Sequence, residues 1–349
     1  MARIGVIGTT SWGITLAVLL ARNKYDVKLW ARSESEAKVL STEGPSSPAL
    51  EGIAFPPNLT VTYSLKNALL LTSAVILAVP SQTMRQNAHL LKDHLKSFRL
   101  IISASKGLEI GSNKRMSQVI ADEIDPAYHK NICVLSGPNL AREIARGLPA
   151  AAVVTADREE VARKAQKLLT TPKFTVYTNH DLIGVELGGT LKNIIAIGAG
   201  MIDGLGYGDN AKAAFITRGL TEMAAFGVAL GANPLTISGL AGLGDLIATC
   251  ASPLSRNHYV GAELARGRKL GDITKDMKEV AEGVTTTAAV WDQACKLNLE
   301  MPITQHIYQV LYSDNNASDA IAKVLGASYK HELAGKRWKL FSFLGKKSP

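Results

Sequence analysis

The sequence is poor in cysteine and has no long uninterrupted apolar run. Its 349 residues include only three widely separated cysteines, Cys133, Cys250 and Cys295. We therefore expect no disulfide framework and predict a cytoplasmic, reducing environment. No run of 18 or more uncharged apolar residues occurs, which predicts that no helix spans a membrane. The start, MARIGVIG, also lacks the charged, apolar and small-residue regions of a secretory signal.

Motifs for metal binding and for an activated serine are missing as well. The sequence contains no CxxC or HExxH, and His89 and His94 are five residues apart, which does not put them on one helical face. No GxSxG nucleophile motif occurs. We therefore predict neither a metal site nor a hydrolase of that type.

The composition is that of a folded protein with an excess of positive charge. Hydrophobic residues make up 46% and charged residues 20%, which excludes a disordered chain. The length suggests about two domains. A net charge of +9 suits nucleic acid, a membrane surface or an anionic substrate. No RNP motif, zinc finger or basic recognition helix is present, so we predict no nucleic-acid binding.

Part of the positive charge lies in the last twenty residues. Residues 330–349 hold six Lys or Arg but one Glu, and residues 336–347, KRWKLFSFLGKK, mix aromatic residues with cations. Such a mixture is typical of a segment in a membrane interface. Twelve residues are marginal as an isolated helix, which favours a tail without a membrane role. A weak membrane-surface contact and a plain tail both stay open.

The first half of the chain alternates buried-strand patterns with helical segments. Continuous aliphatic and β-branched runs occupy residues 3–8, 27–32, 74–79, 100–105, 132–137, 151–156 and 174–178. Runs of this kind indicate a sheet covered on both faces, and thus a doubly wound α/β fold. Residues 41–58, rich in Gly, Pro and Ser, predict a surface loop.

After about residue 180 the strand patterns stop, and Ala, Leu, Ile and Gly recur at helical spacing to about residue 325. We therefore predict an α/β domain over residues 1–180 and an all-helical domain over residues 181–329. Residues 330–349 form the separate tail.

A glycine-containing turn, GTTSWG, directly follows the first predicted strand. Gly8 suits a tight turn, and Gly13 would let the next helix pack closely on the sheet. Backbone N–H groups at that helix start would face the pyrophosphate of a dinucleotide. Thr10 occupies the position of the usual second glycine. The turn predicts NAD(P) binding, and an ordinary glycine-rich turn is the alternative.

Arg32 ends the second predicted strand, about nineteen residues after Gly13. A carboxylate at this point would bind the ribose 2′-hydroxyl of NAD, whereas an arginine pairs with a 2′-phosphate. No acidic residue occurs before Glu34, so the sequence favours NADPH over NADH. A solvated arginine at a strand end is the alternative.

The second half contains two polar clusters in apolar surroundings. Lys192 lies among Leu191, Ile194 and Ile195, where burial would lower its pKa towards a value suited to proton transfer. A lysine that extends to water is the alternative. Asp245 and Thr249 are four residues apart, on one face of a helix.

Two further motifs predict anion binding. Ser255 is placed to cap a helix that has Arg256 and Asn257 in its first turn, a combination that suits a phosphate or simple capping. Lys106, in KGLE, directly follows a predicted strand. That position is the crevice at the carboxyl ends of the strands, where α/β sheets bind ligands.

Taken together, these motifs closely resemble the bacterial-type NAD(P)-dependent glycerol-3-phosphate dehydrogenases. The matching stretches include IGTTSWG, KGLE, LSGPNLAREIA, the long segment ELGGTLKNIIAIGAGMIDGLGYGDNAK, GLAGLGDLIATC, SPLSRN and VAEGVTT. The resemblance implies a Rossmann domain joined to a helical substrate domain. It also implies reversible reduction of dihydroxyacetone phosphate to sn-glycerol 3-phosphate for phospholipid synthesis, by an expected homodimer.

The resemblance also implies roles for individual residues. Lys192 matches the general acid/base, and Asp245 and Lys106 complete the catalytic set. Cofactor contacts fall on Gly8, Ser11, Trp12, Gly13, Arg32, Lys106, Ala141, Arg256, Val280 and Glu282. Substrate contacts fall on Lys106, Gly137, Asn139, Lys192, Asp245, Thr249, Ser255, Arg256 and Asn257. Thr10 and Asn139 depart from the family pattern, which commonly has glycine and Ser or Thr at these positions.

Two other functions remain as alternatives. One is a two-domain dehydrogenase of another hydroxy acid, against which the SPLSRN phosphate motif argues. The other is a non-catalytic NAD(P)-sensing protein, against which the set of Lys106, Lys192 and Asp245 argues.

Overall fold

The computed structural model describes residues 2–95, 99–277 and 279–326. The basic tail segment at 336–347 lies outside the described residues. All three cysteines are free, with Cys133 and Cys250 buried and Cys295 exposed.

The first half forms one eight-stranded sheet with helices on both faces. The strands are β1 Arg3–Ile7, β2 Asp26–Trp30, β3 Leu59–Thr62, β4 Thr72–Leu77, β5 Leu100–Ser103, β6 Ile132–Ser136, β7 Ala150–Ala156 and β8 Phe174–Asn179. The helices are α1 Ser11–Arg22, α2 Glu34–Glu43, α3 Leu65–Leu69, α4 Met84–Leu91, α5 Met116–Glu123, α6 Ala141–Ala145 and α7 Glu159–Leu169.

The strand order is β3-β2-β1-β4-β5-β6-β7-β8, and all neighbouring pairs are parallel except β6 with β7. One core packs α1 and α7 against the sheet, and a second packs α4 and α5 against the other face. This is the doubly wound Rossmann arrangement, which confirms the predicted fold class. The order reverses between β1 and β4, and the ligand crevice of such sheets opens at that point.

Two features of this half differ from the sequence prediction. The short strand β3 was not predicted, because its four residues follow the Pro-rich stretch and only Leu59 is buried. The predicted loop over 41–58 contains the end of α2 and a single helical turn, Pro48–Leu50, that buries Leu50 completely.

The second half is helical, as predicted. Its helices are α8 Leu182–Gly204, α9 Gly208–Ala229, α10 Pro234–Ile237, α11 Asp245–Ala251, α12 Arg256–Ala265, α13 Leu270–Asp276, α14 Glu282–Lys296, α15 Pro302–Tyr312 and α16 Ala317–Gly326. A π-helical turn, Leu240–Gly244, leads directly into α11.

Helix α8 is the centre of this half. By length and hydropathy, Leu182–Gly204 and Pro234–Ala251 both qualify as membrane spans, in contrast to the sequence prediction. The apolar window of the first is 89% buried by the protein itself. Its apolar character therefore follows from its position as a core helix, since α9, α11, α12 and α14 pack around it.

Glycines bring α8 and α12 into close contact. A Cβ at Gly200 would lie 2.0 Å from the carbonyl oxygen of His258, and one at Gly261 would lie 1.8 Å from that of Ile197. The two helix backbones therefore touch. This contact fixes the start of α12, with Ser255, relative to Lys192 on α8.

Candidate active site

A cluster of two lysines and one aspartate lies where the sheet meets the helical half. Lys192 on α8 has its Nζ 3.1 Å from Oδ1 of Asp245 and donates a 2.7 Å hydrogen bond to Thr249. Lys106, from the loop after β5, donates to Oδ2 of Asp245 at 2.5 Å and to the carbonyl of Gly137 at 2.9 Å. The structure thus brings together the three residues predicted to be catalytic.

Burial determines the protonation behaviour of this cluster. The side chain of Lys192 is almost fully buried, and burial lowers its pKa to about 8. Asp245 acts to raise this pKa, and Lys106 acts to lower it. A lysine with such a pKa is suited to give and accept a proton near neutral pH. The alternative of a lysine that reaches solvent is therefore wrong for Lys192.

The helix positions of these residues follow from the local sequence. Asp245 is the first residue of α11, and Thr249 lies one turn later, so the two share one face of the helix as the spacing predicted. Both contact Lys192. The hydroxyl of Thr249 also donates to the carbonyl of Asp245 at 2.6 Å. This bond orients the lone pairs of the hydroxyl oxygen towards the ammonium group.

The start of α12 carries Ser255, Arg256 and Asn257, the predicted phosphate corner. Ser255 caps the helix as predicted, accepting a 3.2 Å hydrogen bond from the backbone of His258. Arg256 is partly exposed and lies 3.1 Å from Glu279. The amide of Asn257 donates to Asn193 at 2.8 Å and accepts from Gly283 at 2.9 Å. These two hydrogen bonds leave one N–H of Asn257 unused, and a helix N-terminus is suited to an anion.

Unpaired polar atoms lie at the end of β6 and just after it. Among the described residues, neither of the two buried amide atoms of Asn139 has a hydrogen-bond partner, and neither does the hydroxyl of Ser136. Buried polar groups are normally paired. Asn139 follows Gly137, whose carbonyl binds Lys106, so its amide is suited to contact a substrate held near Lys106.

The glycine turn has the shape that a dinucleotide requires. Gly8 has φ +115°, and a Cβ there would lie 2.5 Å from the carbonyl oxygen of Ala78. A Cβ at Gly13 would lie 2.1 Å from the carbonyl oxygen of Gly8. Only glycine fits these two positions, so the backbone of the turn stays open towards the start of α1.

Thr10 does not obstruct this turn. Its hydroxyl caps α1, accepting from Gly13 N at 3.1 Å and donating to the carbonyl of Ala78 at 2.7 Å. The side chain therefore takes over a structural role at the helix start. Its departure from the usual glycine is compatible with cofactor binding.

The remaining predicted cofactor residues surround the turn. Ser11 contacts Ser47 at 2.7 Å and also donates to Glu279. Trp12 has a buried indole N–H without a partner in the described part of the chain. Ala141 begins α6, and its carbonyl accepts a 3.3 Å hydrogen bond from Thr15 on α1. Ser11 and Trp12 thus lie in the first turn of α1, and Ala141 contacts the same helix.

Glu282, the first residue of α14, contacts the sheet half, and Val280 lies two residues before it. Val280 is exposed, and Glu282 accepts hydrogen bonds from the backbone and hydroxyl of Ser81 at 2.9 and 2.5 Å. Burial raises the pKa of the Glu282 carboxyl, against the effect of the two Ser81 bonds. Ser81 follows β4, so this contact joins the two halves beside the cofactor turn.

Sequence reasoning missed two carboxylates at the crevice. Glu279 lies between Ser11 and Arg256. Glu36, in the first turn of α2, accepts from Thr9 at 2.6 Å and from the backbone N–H of Arg32 at 2.9 Å. The spacing from Ser33 to Glu36, which fits the S-x-x-E pattern of a helix start, was a usable signal for a carboxylate at this place. Nothing local links Glu279 to Ser11.

No metal site accompanies these groups. Within residues 2–95, 99–277 and 279–326, no group of three or more His, Cys, Asp and Glu side chains is arranged to hold a metal ion.

Comparison with known proteins decides the family. The family models for the N-terminal and C-terminal parts of NAD-dependent glycerol-3-phosphate dehydrogenase match residues 3–162 and 181–322, respectively. The chain belongs to this family. The resemblance inferred from the sequence motifs is thereby confirmed.

Individual relatives match over nearly the whole chain. The glycerol-3-phosphate dehydrogenase [NAD(P)+] of Dehalococcoides mccartyi strain BAV1 is 57% identical, covering 99% of this chain and 97% of its own. The Bacillus thuringiensis enzyme of the same name is 45% identical, covering 95% and 98%. The crystal structure of the Coxiella burnetii enzyme has a TM-score of 0.88 at 34% identity, covering 93% and 98%.

Proposed function

We propose that this chain catalyses the reversible NAD(P)H-dependent reduction of dihydroxyacetone phosphate to sn-glycerol 3-phosphate, which supplies phospholipid synthesis. The observation that carries the proposal is the buried pair of Lys192 and Asp245, 3.1 Å apart. In addition, the chain belongs to a family whose relatives are named glycerol-3-phosphate dehydrogenase [NAD(P)+].

Lys192 is the proton donor in this proposal. Its Nζ is held by Asp245 and Thr249, and its pKa of about 8 allows proton transfer to a developing alkoxide near neutral pH. Lys106 adds a second positive charge on the other oxygen of Asp245 and is suited to polarise the substrate carbonyl. Ser255, Arg256 and Asn257 hold the phosphate.

The residues around the glycine turn fit a dinucleotide. Gly8 and Gly13 leave the turn open, and Ser11, Trp12, Ala141, Val280 and Glu282 line the crevice. When bound, the reduced nicotinamide supplies the hydride that the C2 carbonyl carbon accepts. The chain contributes the proton from Lys192 and binding energy from the phosphate corner, which fixes the carbonyl in place.

We further propose that NADPH is the better cofactor. The side chain of Arg32 is 80% exposed at the end of β2, where a 2′-phosphate would lie. Arg32→Ala is expected to reduce this preference. A wild-type preference for NADH would contradict the assignment.

The decisive experiment is steady-state kinetics of the full chain with dihydroxyacetone phosphate and each reduced cofactor. We expect turnover with both and a higher kcat/KM with NADPH. Cofactor binding without turnover would favour a non-catalytic NAD(P)-sensing protein. With the same reduced cofactors, turnover of a phosphate-free oxo acid in place of dihydroxyacetone phosphate would favour the other dehydrogenase.

We also propose a division into domains at residue 180, a cytoplasmic location and a homodimer. The exposed side of α9 supports the dimer, since it carries the small uncharged residues Ala213, Thr217 and Thr221. Thr217→Arg should halve the mass measured by light scattering. An unchanged mass would place the interface elsewhere.

For residues 336–347 we propose a weak contact with anionic membrane surfaces, on the basis of their cationic and aromatic composition. Co-sedimentation with anionic vesicles tests it. Loss of binding in a chain that ends at Ala327 is expected, and equal binding of both chains would contradict it.

A further inference from the structure

The ribose end of the proposed cofactor crevice holds a cation and an anion side by side. Nε of Arg32 lies 3.6 Å from Oε2 of Glu36, and the same carboxylate accepts the backbone N–H of Arg32 at 2.9 Å. Oε1 of Glu36 accepts a 2.6 Å hydrogen bond from the hydroxyl of Thr9, which belongs to the glycine turn. The carboxylate therefore joins the end of β2 to the nucleotide turn.

Glu36 is charged at neutral pH. Partial burial acts to raise its pKa, but the hydrogen bonds from Thr9 and from the backbone of Arg32 outweigh this and hold the pKa below its ordinary value. At neutral pH the carboxylate of Glu36 therefore carries a negative charge beside the guanidinium of Arg32.

Helix capping alone does not account for this position. Ser33 already caps α2, accepting a 3.2 Å hydrogen bond from the backbone of Glu36. A capping-box glutamate returns to the backbone of the capping residue itself. Glu36 instead reaches the preceding residue, Arg32, and a side chain 27 positions away in sequence, Thr9.

We propose that Glu36 is a specificity-determining residue that competes with the cofactor's 2′-phosphate for Arg32, and so limits the preference for NADPH. The inference rests on the proposed use of NAD(P). In Rossmann folds the ribose lies between the end of the second strand and the glycine turn, which are the two places that Glu36 bridges. Its carboxylate offsets the positive charge of Arg32 that a 2′-phosphate would use, whereas binding of an uncharged 2′-hydroxyl does not depend on that charge. The chain is thereby suited to use both cofactors.

Binding of cofactor fragments tests this without any turnover. Adenosine 2′,5′-bisphosphate and adenosine 5′-monophosphate differ only in the 2′-phosphate, and calorimetry gives the ratio of their Kd values for the full chain. Glu36→Gln is the test variant, and Glu36→Ala is a second variant that removes the same charge. Glu43→Gln is the matched control, since it makes the same charge change at the far end of α2, about 10 Å away.

We expect Glu36→Gln and Glu36→Ala to lower the Kd of the bisphosphate roughly three- to fivefold, which is the effect of a partly exposed ion pair. The Kd of the monophosphate should change less than twofold in Glu36→Gln, and Glu43→Gln should change neither Kd. In an Arg32→Ala background the gain should disappear.

Three results would overturn the proposal. The ratio of the two Kd values could be unchanged in both Glu36 variants, or it could change equally in Glu43→Gln. The third such result is that either nucleotide binds to none of the variants. Because no substrate is present, a chain without dehydrogenase activity still tests Glu36. If the chain reduces dihydroxyacetone phosphate but the ratio of the two Kd values is unchanged in the Glu36 variants, only the role of Glu36 is refuted.

Discussion

Nζ of Lys192 lies 3.1 Å from Oδ1 of Asp245, and both side chains are buried. A buried ammonium is costly unless an opposite charge accompanies it. The carboxylate therefore keeps Lys192 charged in a place that would otherwise neutralise it. The balance between burial and pairing leaves the pKa of Lys192 near 8.

The first prediction concerns the proton donor. Lys192→Ala should lower kcat by about 10²- to 10⁴-fold, the usual contribution of a general acid, with a smaller change in KM. Steady-state kinetics measures both constants. Lys164→Ala, an exposed lysine on α7, is the control and should leave both unchanged. Near-normal kcat in Lys192→Ala would remove this residue from the mechanism.

The pH dependence follows from the same pKa. Ketone reduction needs protonated Lys192, so its kcat should fall as pH rises through about 8. Alcohol oxidation needs the neutral amine and should rise through the same pH. A pH profile that is flat from 7 to 9 in both directions, with chemistry rate-limiting, would contradict the assignment.

Two variants should move that profile in opposite directions. Asp245 raises the pKa of Lys192 and Lys106 lowers it. Asp245→Asn should therefore shift the fall in reduction rate to lower pH, and Lys106→Met should shift it to higher pH. Both variants should lose activity, so the direction of the shift is the informative quantity. Thermal unfolding shows whether each variant is folded.

The phosphate corner predicts a substrate-dependent effect. Arg256→Ala should raise KM for dihydroxyacetone phosphate roughly 10- to 100-fold, since a charge-assisted hydrogen bond to phosphate is lost. With phosphate-free dihydroxyacetone and a saturating concentration of reduced cofactor, the same variant should match the wild type. Arg266→Ala, at the exposed end of α12, is the control. Equal losses with both substrates would mean that Arg256 does not act on the phosphate.

The contact between α8 and α12 predicts a change in stability. Gly200→Ala places a Cβ against the carbonyl of His258 and should cost about 1–3 kcal/mol of unfolding free energy. Gly271→Ala, on α13 with open space around it, should instead stabilise by up to about 1 kcal/mol. Urea denaturation measures both. If the two variants behaved alike, the close contact would not be required.

Local patterns were sufficient for much of this site. The spacing of Asp245 and Thr249 and the cap at Ser255 are properties of single segments, so the sequence predicted them. The apolar neighbours of Lys192 left open whether its side chain is buried or reaches water. The switch of β7 to antiparallel pairing was not predictable, because strand direction depends on the path of the connection. Glu279 contacts Ser11 across 268 positions, and no local pattern indicates such a contact.

Lys106 comes from the sheet half, whereas Asp245 and Lys192 come from the helical half. Burial is the largest cause of the lowered pKa of Lys192, and Lys106 lowers it further only when both halves are in contact. The helical half produced alone would lack this second cation. The reactivity of this lysine towards amine-modifying reagents is thus a measure of how completely the crevice is assembled.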